Sequence, residues 1–190
     1  MPNAVHWTEP AGIVPHFGRE EAEARQQHYI GPEHLLAGLL QGDNPAAHLL
    51  RAHGLDLAAV RAGIDRLVTQ GVLPRPQLGD RELLAMRPVQ SLPPAPGGGT
   101  PLTCHRVLLL ACEEAVARGK DVEPLHLLLG LLRDAERPVA AGLSPAELRL
   151  RSMLGLPNSG PSPVELLVEG EGLTLEGLQA AVRAALDRDE

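Results

Sequence analysis

Ile30-Gly31-Pro32-Glu33-His34-Leu35-Leu36-Ala37-Gly38-Leu39-Leu40 returns, with changes, as Val122-Glu123-Pro124-Leu125-His126-Leu127-Leu128-Leu129-Gly130-Leu131-Leu132. Each copy has a proline at the first helical turn, a histidine two residues later, a leucine pair and a Gly-Leu-Leu close. The flanks repeat in the same order. Glu20-Glu21-Ala22 precedes the first copy and Glu113-Glu114-Ala115 the second; Gly54-Leu55-Asp56-Leu57 and Gly172-Leu173-Thr174-Leu175 follow. Self-similarity over whole helical units marks a duplicated supersecondary unit.

The repeat divides the chain. The first unit is expected over 7–70, a Pro/Gly-rich linker over 72–99, and the second unit over 101–187 with an insertion at about 134–171. Within unit one, Pro32–Gln41 reads as a helix apolar nearly all round and hence buried, capped by Gly31 with Pro32 as first residue. Asp43-Asn44-Pro45 ends that helix and caps the next, over 46–52, which stops at Gly54, and 57–68 follows with Leu57, Val60, Ile64, Leu67 and Val68 on one face. Unit two has helices expected over 104–118, 124–133, 146–154 and 172–187, with a loop at 157–163 and a short helical turn at 80–86 in the linker. Pro10, Gly12, Pro15 and Gly18 interrupt the first helix. Pro15 inside a helix would cost about 3 kcal/mol or more and clash with the carbonyl of Ala11, so regular helix is expected only over 18–27.

Composition narrows the function classes. The 190 residues are 44% hydrophobic but only 2% aromatic, so the core is aliphatic. A net charge of -7 disfavours sequence-independent nucleic-acid binding, which needs a basic face. The N-terminus has no charged start followed by an apolar run, and no apolar stretch approaches a membrane span. Cys104 and Cys112 lie eight positions apart on one helix, roughly 12 Å at the standard rise, too far for a disulfide. Two unpaired thiols and no export signal lead to an expectation of a reducing cytoplasm. His34 and His126 invite a metal or catalytic reading, but no cluster with ligand spacing accompanies them. Each is expected instead as a buried histidine donating to a backbone carbonyl of its own repeat. No metal, no cofactor and no nucleophilic catalysis are expected.

With the repeat laid out, the sequence resembles the double-repeat N-terminal domain of the Clp unfoldases, the ClpA, ClpB and ClpC group. The resemblance rests on Trp7-Thr8-Glu9, Glu20-Glu21-Ala22 and Tyr29-Ile30-Gly31-Pro32-Glu33-His34-Leu35-Leu36, where the family has Phe-Thr-Glu, Glu-Glu-Ala and Tyr-Ile-Gly-Thr-Glu-His-Leu-Leu. Unit two, with Glu123-Pro124-Leu125-His126, is closer to the ClpB variant. The resemblance implies an all-α fold of two pseudo-symmetric four-helix repeats packed into one compact domain. It also implies a domain that receives adaptors or substrates.

No Gly-x-x-x-x-Gly-Lys-Ser/Thr phosphate loop occurs in the 190 residues. The expectation is therefore a stand-alone, non-enzymatic protein-binding domain, accessory or decoy to a Clp unfoldase–protease system. Its partners would be a Clp unfoldase, protease core, adaptor or substrate proteins. The alternatives are a degenerate structural subunit of a larger complex, or a small-molecule-binding protein using the family groove.

Two residues carry the site expectation. By resemblance to the ClpC branch, Glu33 contributes to a pocket that reads phosphorylated arginine, where a carboxylate accepts paired N–H bonds from the guanidinium. The phosphate would be held by helix-start amides near Thr8. An acidic residue in a first helical turn also simply favours the helix dipole, by about 0.3–1 kcal/mol. Leu125 stands where a second glutamate would be, so at most one of two family pockets remains.

Overall fold

The computed structural model describes residues 5–75, 103–139, 141 and 143–188; every structural statement below refers to these. Repeat one contains α1 (Glu9–Gly12), α2 (Val14–Ala24), α3 (Pro32–Gln41), α4 (Pro45–Ala52) and α5 (Leu57–Thr69). The first helix is broken, but at Ile13 rather than by Pro15. A new helical segment starts at Val14 and takes Pro15 into its first turn, where a missing N–H breaks no helical bond. The segment is therefore helical from Glu9 with a break at Ile13, and α2 begins four residues ahead of the expected start at Gly18.

Repeat two contains α6 (His105–Ala117), α7 (Pro124–Ala135), α8 (Pro145–Met153), α9 (Pro163–Gly170) and α10 (Leu175–Leu186). The sequence reading had no helix at α9. Its place in the duplication is nevertheless clear, because Ser162 caps it as Asn44 caps α4, and each is followed by a proline. Gly172 (φ +75°) and Gly54 (φ +90°) then turn the chain in the left-handed region that glycine favours. α8 has no counterpart in repeat one. The expected linker enters the described residues only at 72–75, where Leu73 is buried; the helical turn expected at 80–86 lies outside them.

Glycine sets the packing of the two central helices. A Cβ on Gly38 would lie 2.7 Å from the carbonyl oxygen of Val14 and 2.8 Å from the nitrogen of Gly18. A Cβ on Gly130 would lie 2.6 Å from the oxygen of Val107 and 3.0 Å from the nitrogen of Ala111. Backbone meets backbone at the same points in both repeats, which is why Gly closes both motif copies. α3 and α7, buried on nearly every face, pack on each other, and α4, α5, α9 and α10 complete the core.

Ion pairs repeat as well. Arg25 bonds Glu21 at 2.8 Å, and Arg118 bonds Glu114 at 2.6 Å, each one turn apart. A second arginine reaches each carboxylate: Arg61 from α5 at Glu21 and Arg133 from α7 at Glu114. Burial alone would raise the Glu21 carboxyl, but hydrogen bonds from Arg61 and Arg25 outweigh it and hold the group below its usual range.

His34 and His126 are both fully buried, in equivalent places. Their bonding corrects the expectation. Neither histidine donates to its own helix; Nδ1 accepts from the N–H of the capping residue, Gly31 at 3.0 Å and Glu123 at 3.1 Å. A side chain at the third helical position points back at that N–H, as in a capping box. With Nδ1 accepting, the proton of the neutral ring sits on Nε2. His34 Nε2 donates to Gln27 Oε1 at 2.7 Å. His126 Nε2 has no partner. The reason is local: Gln27 N and Lys120 N bond the matching carbonyls of Ala22 and Ala115, so Lys120 stands where Gln27 does. An ammonium has no lone pair to offer.

Candidate functional site

The two repeats grip each other through a reciprocal pair of threonines. Thr8 donates its amide (3.0 Å) and hydroxyl (3.1 Å) to the carbonyl of Val122. Thr103 donates its amide (2.9 Å) and hydroxyl (3.2 Å) to the carbonyl of Ile30. The start of each repeat's first helix thus docks beside the second helix of the other repeat. Thr8 comes to the Leu125 side and Thr103 to the Glu33 side, so the expected pairing of Thr8 with Glu33 is not brought together.

Around Glu33 lies a cavity of about 30 Å³. Tyr29 and Pro32 come from repeat one, Thr103, Cys104 and Arg106 from the start of α6, and Asp134 from α7. Leu143, Arg151 and Leu156 from the inserted segment close it. Glu33 is 1% exposed, and its Oε1 has no hydrogen-bond partner. Its carboxylate fills the space where a Cβ on Gly31 would stand, so Gly31 is needed to seat it. In repeat two the residues at these two places are exchanged in character, Glu123 for Gly31 and Leu125 for Glu33, and Leu125 is buried.

His34 Nδ1 lies 3.6 Å from Glu33 Oε1, but it is already accepting from Gly31, so the contact is not an ion pair. Burial pushes the His34 ring toward its neutral form despite the nearby carboxylate. Burial, and then Glu33, raise the Tyr29 phenol well above its ordinary value. The same two causes raise the Cys104 thiol, which makes it a poor nucleophile. Arg106 is engaged by the Asp134 carboxylate and by the carbonyl of Ala141. Among the described residues, no group of three or more His, Cys, Asp or Glu is arranged to hold a metal ion. No helix among them is long and apolar enough to cross a membrane.

Residues 8–84 match the family described as the Clp repeat (R) N-terminal domain. The chain carries a Clp repeat N-terminal domain. A tomato (Solanum lycopersicum) protein, the chloroplastic ClpA homolog CD4B described as an ATP-dependent Clp protease ATP-binding subunit, is 29% identical over 158 residues. That match covers 78% of this chain and 15% of the relative. The chaperone protein ClpB of Oceanobacillus iheyensis is 29% identical over 140 residues, 73% of this chain and 15% of the relative. The chain therefore spans about one seventh of the length of the curated relatives it matches. The N-terminal domain of the chaperone ClpD from Arabidopsis thaliana superposes with a TM-score of 0.58 at 16% identity, covering 98% of this chain and 99% of that one. At that identity the likeness carries the all-α Clp fold.

Among the residues lining this candidate pocket, Tyr29, Thr103, Arg106, Asp134 and Arg151 were not named as site residues from the sequence. Once Thr8 is seen to cross to Val122, the repeat symmetry gives the matching crossing of Thr103 to Ile30 and so to the Glu33 side. Arg151 lies in an insertion with no partner in the duplication, so no pattern pointed to it.

Proposed function

We propose that this Clp-type domain binds proteins without chemistry, as an accessory or decoy to a Clp unfoldase–protease system in a reducing cytoplasm. Clp N-terminal domains are non-catalytic and receive substrates and adaptors, which gives the reading its class. The observation that carries the finer reading is the unpartnered Oε1 of buried Glu33, in a pocket against the start of α6. A buried carboxylate oxygen with an open valence calls for a cation, and a guanidinium satisfies it with paired N–H bonds. The amides at the start of the 13-residue α6 supply positive potential for a phosphate on the same ligand, next to an Arg106 guanidinium that is paired with Asp134. An arginine side chain bearing phosphate is thus the ligand class that suits Glu33 and Thr103. The protonated Cys104 thiol and the neutral, doubly constrained His34 support the non-enzymatic reading.

The test is affinity capture from the native cytoplasm with wild type and Glu33→Ala. The reading expects a Clp unfoldase, adaptor or arginine-phosphorylated substrate to be retained by wild type and reduced severalfold by the substitution. Equal capture by both would remove Glu33 from the partner site.

A further inference from the structure

The inserted helix α8 ends over the Glu33 pocket, and its attachment there is unusual. Among its residues only Arg151 is buried, at 7% exposed, while Met153 is largely exposed and Leu150 only partly covered. α8 packs closely on no other described helix. Along its own length α8 buries a guanidinium and no apolar side chain, while Leu154 at its C-cap and Leu156 beyond it are buried in the core, so the segment is anchored at that end and its N-terminal part has little hydrophobic area holding it down. α8 also brings its own start. Ser144 accepts from the Glu147 N–H and Glu147 returns a bond to Ser144, so the helix keeps its N-terminal cap when it is lifted.

Arg151 and Glu33 line the same cavity. Arg151 Nη2 is tied to the carbonyl of Pro157 at 2.8 Å, within its own insertion, while its Nε is buried without a partner. Glu33 Oε1 across the cavity is also without a partner. Two buried groups of opposite charge, each with an unfilled hydrogen-bond valence, hold each other by field rather than by a closed pair. Removing either leaves the other uncompensated.

We infer that α8 is an intramolecular latch in which Arg151 occupies, beside Glu33, the place of a partner's arginine side chain. The inference rests on the guanidinium-reading function proposed for the pocket and adds its regulation. A partner's arginine enters only as α8 lifts and Arg151 leaves, so the chain competes with its own ligand. The latch belongs to this chain's insertion and has no equivalent in the first repeat.

Two measurements on the full chain test it. Amide hydrogen exchange without ligand should show α8 exchanging about tenfold faster in Glu33→Gln than in wild type, because the carboxylate holding Arg151 is gone. Unchanged α8 exchange would overturn the latch. Titration of free phosphoarginine should show Arg151→Gln binding about tenfold tighter than wild type, since the occupied state no longer competes. Arg149→Gln, at an exposed arginine on the same helix, should bind as wild type does. Equal binding by wild type and Arg151→Gln would overturn the latch and leave the ligand assignment intact. No binding by any form would overturn the ligand assignment, and the exchange result would then decide the latch alone. All three variants should still unfold in one cooperative transition, Arg149→Gln at the wild-type midpoint and Glu33→Gln and Arg151→Gln below it because each leaves a buried charge uncompensated, so α8 exchange is read relative to that of α7 in the same protein.

Discussion

Thr103 binds the carbonyl of Ile30 through both its amide and its hydroxyl, three residues ahead of Glu33. Thr8 makes the same two bonds to Val122, three residues ahead of Leu125. The two threonines are equivalent in structure and unequal in what they border. Thr8→Val and Thr103→Val should therefore each lower stability by about 1 kcal/mol, the scale of one hydrogen bond. Only Thr103→Val should weaken phosphoarginine binding, measured in the Arg151→Gln background where binding is strongest. Equal effects of the two on binding would contradict the assignment of Thr103 to the site.

The glycine contacts make a stability prediction. Gly38→Ala and Gly130→Ala push a methyl against fixed backbone atoms of α2 and α6, and each should destabilise by about 1–3 kcal/mol or more. A methyl on Gly12, at the end of α1, would meet nothing within 4 Å. Gly12→Ala should be neutral or stabilising by up to about 1 kcal/mol. Urea unfolding of the three variants checks the order, and a Gly38→Ala protein as stable as wild type would contradict the close approach.

The buried histidines predict a pH dependence. Burial lowers the basicity of both His34 and His126 in the folded chain. Unfolded rings titrate near the ordinary value of 6.5, so protons bind the unfolded state preferentially below it. The stability from keeping the rings neutral is complete above that value. It is lost as pH falls from 6.5 toward the folded values, by up to about 1.4 kcal/mol per pH unit for each histidine. Glu21, whose carboxyl is held low, contributes stability that is lost only below about 4.5, outside this window. Urea midpoints at about pH 7.5 and about pH 5.5 should differ, and His34→Gln should shallow the slope. A flat profile would contradict the neutral buried pair.

The fold was largely legible because the duplication encodes it locally. Pro32 and Pro124 mark the helix starts, and Gly38 and Gly130 mark the backbone contacts; both follow from residue chemistry. The broken first helix was visible in Pro10 and Pro15, but its position was not. A proline stops a helix in its interior and starts one in its first turn, and only the path of the chain at Ile13 decides which. α9 was hidden because eight residues carry too little periodicity to stand out beside Pro157, Pro161 and Pro163. Of the residues lining the candidate pocket, the sequence pointed only to Glu33 as a ligand contact. Its surroundings come from a crossing of the two repeats and from an insertion, and long-range contacts of that kind leave no spacing signal in the sequence.

The most direct test of a single arginine-reading face is chemical-shift mapping. Isotope-labelled wild type and Arg151→Gln would be titrated with a peptide carrying one phosphoarginine. The account predicts that amide shifts gather at Gly31, Glu33, Thr103, Cys104 and Arg106, at lower peptide concentration for Arg151→Gln. Val122, Glu123 and Leu125 should stay still in both. Shifts centred on Leu125 and Thr8, or no shifts in either protein, would contradict it.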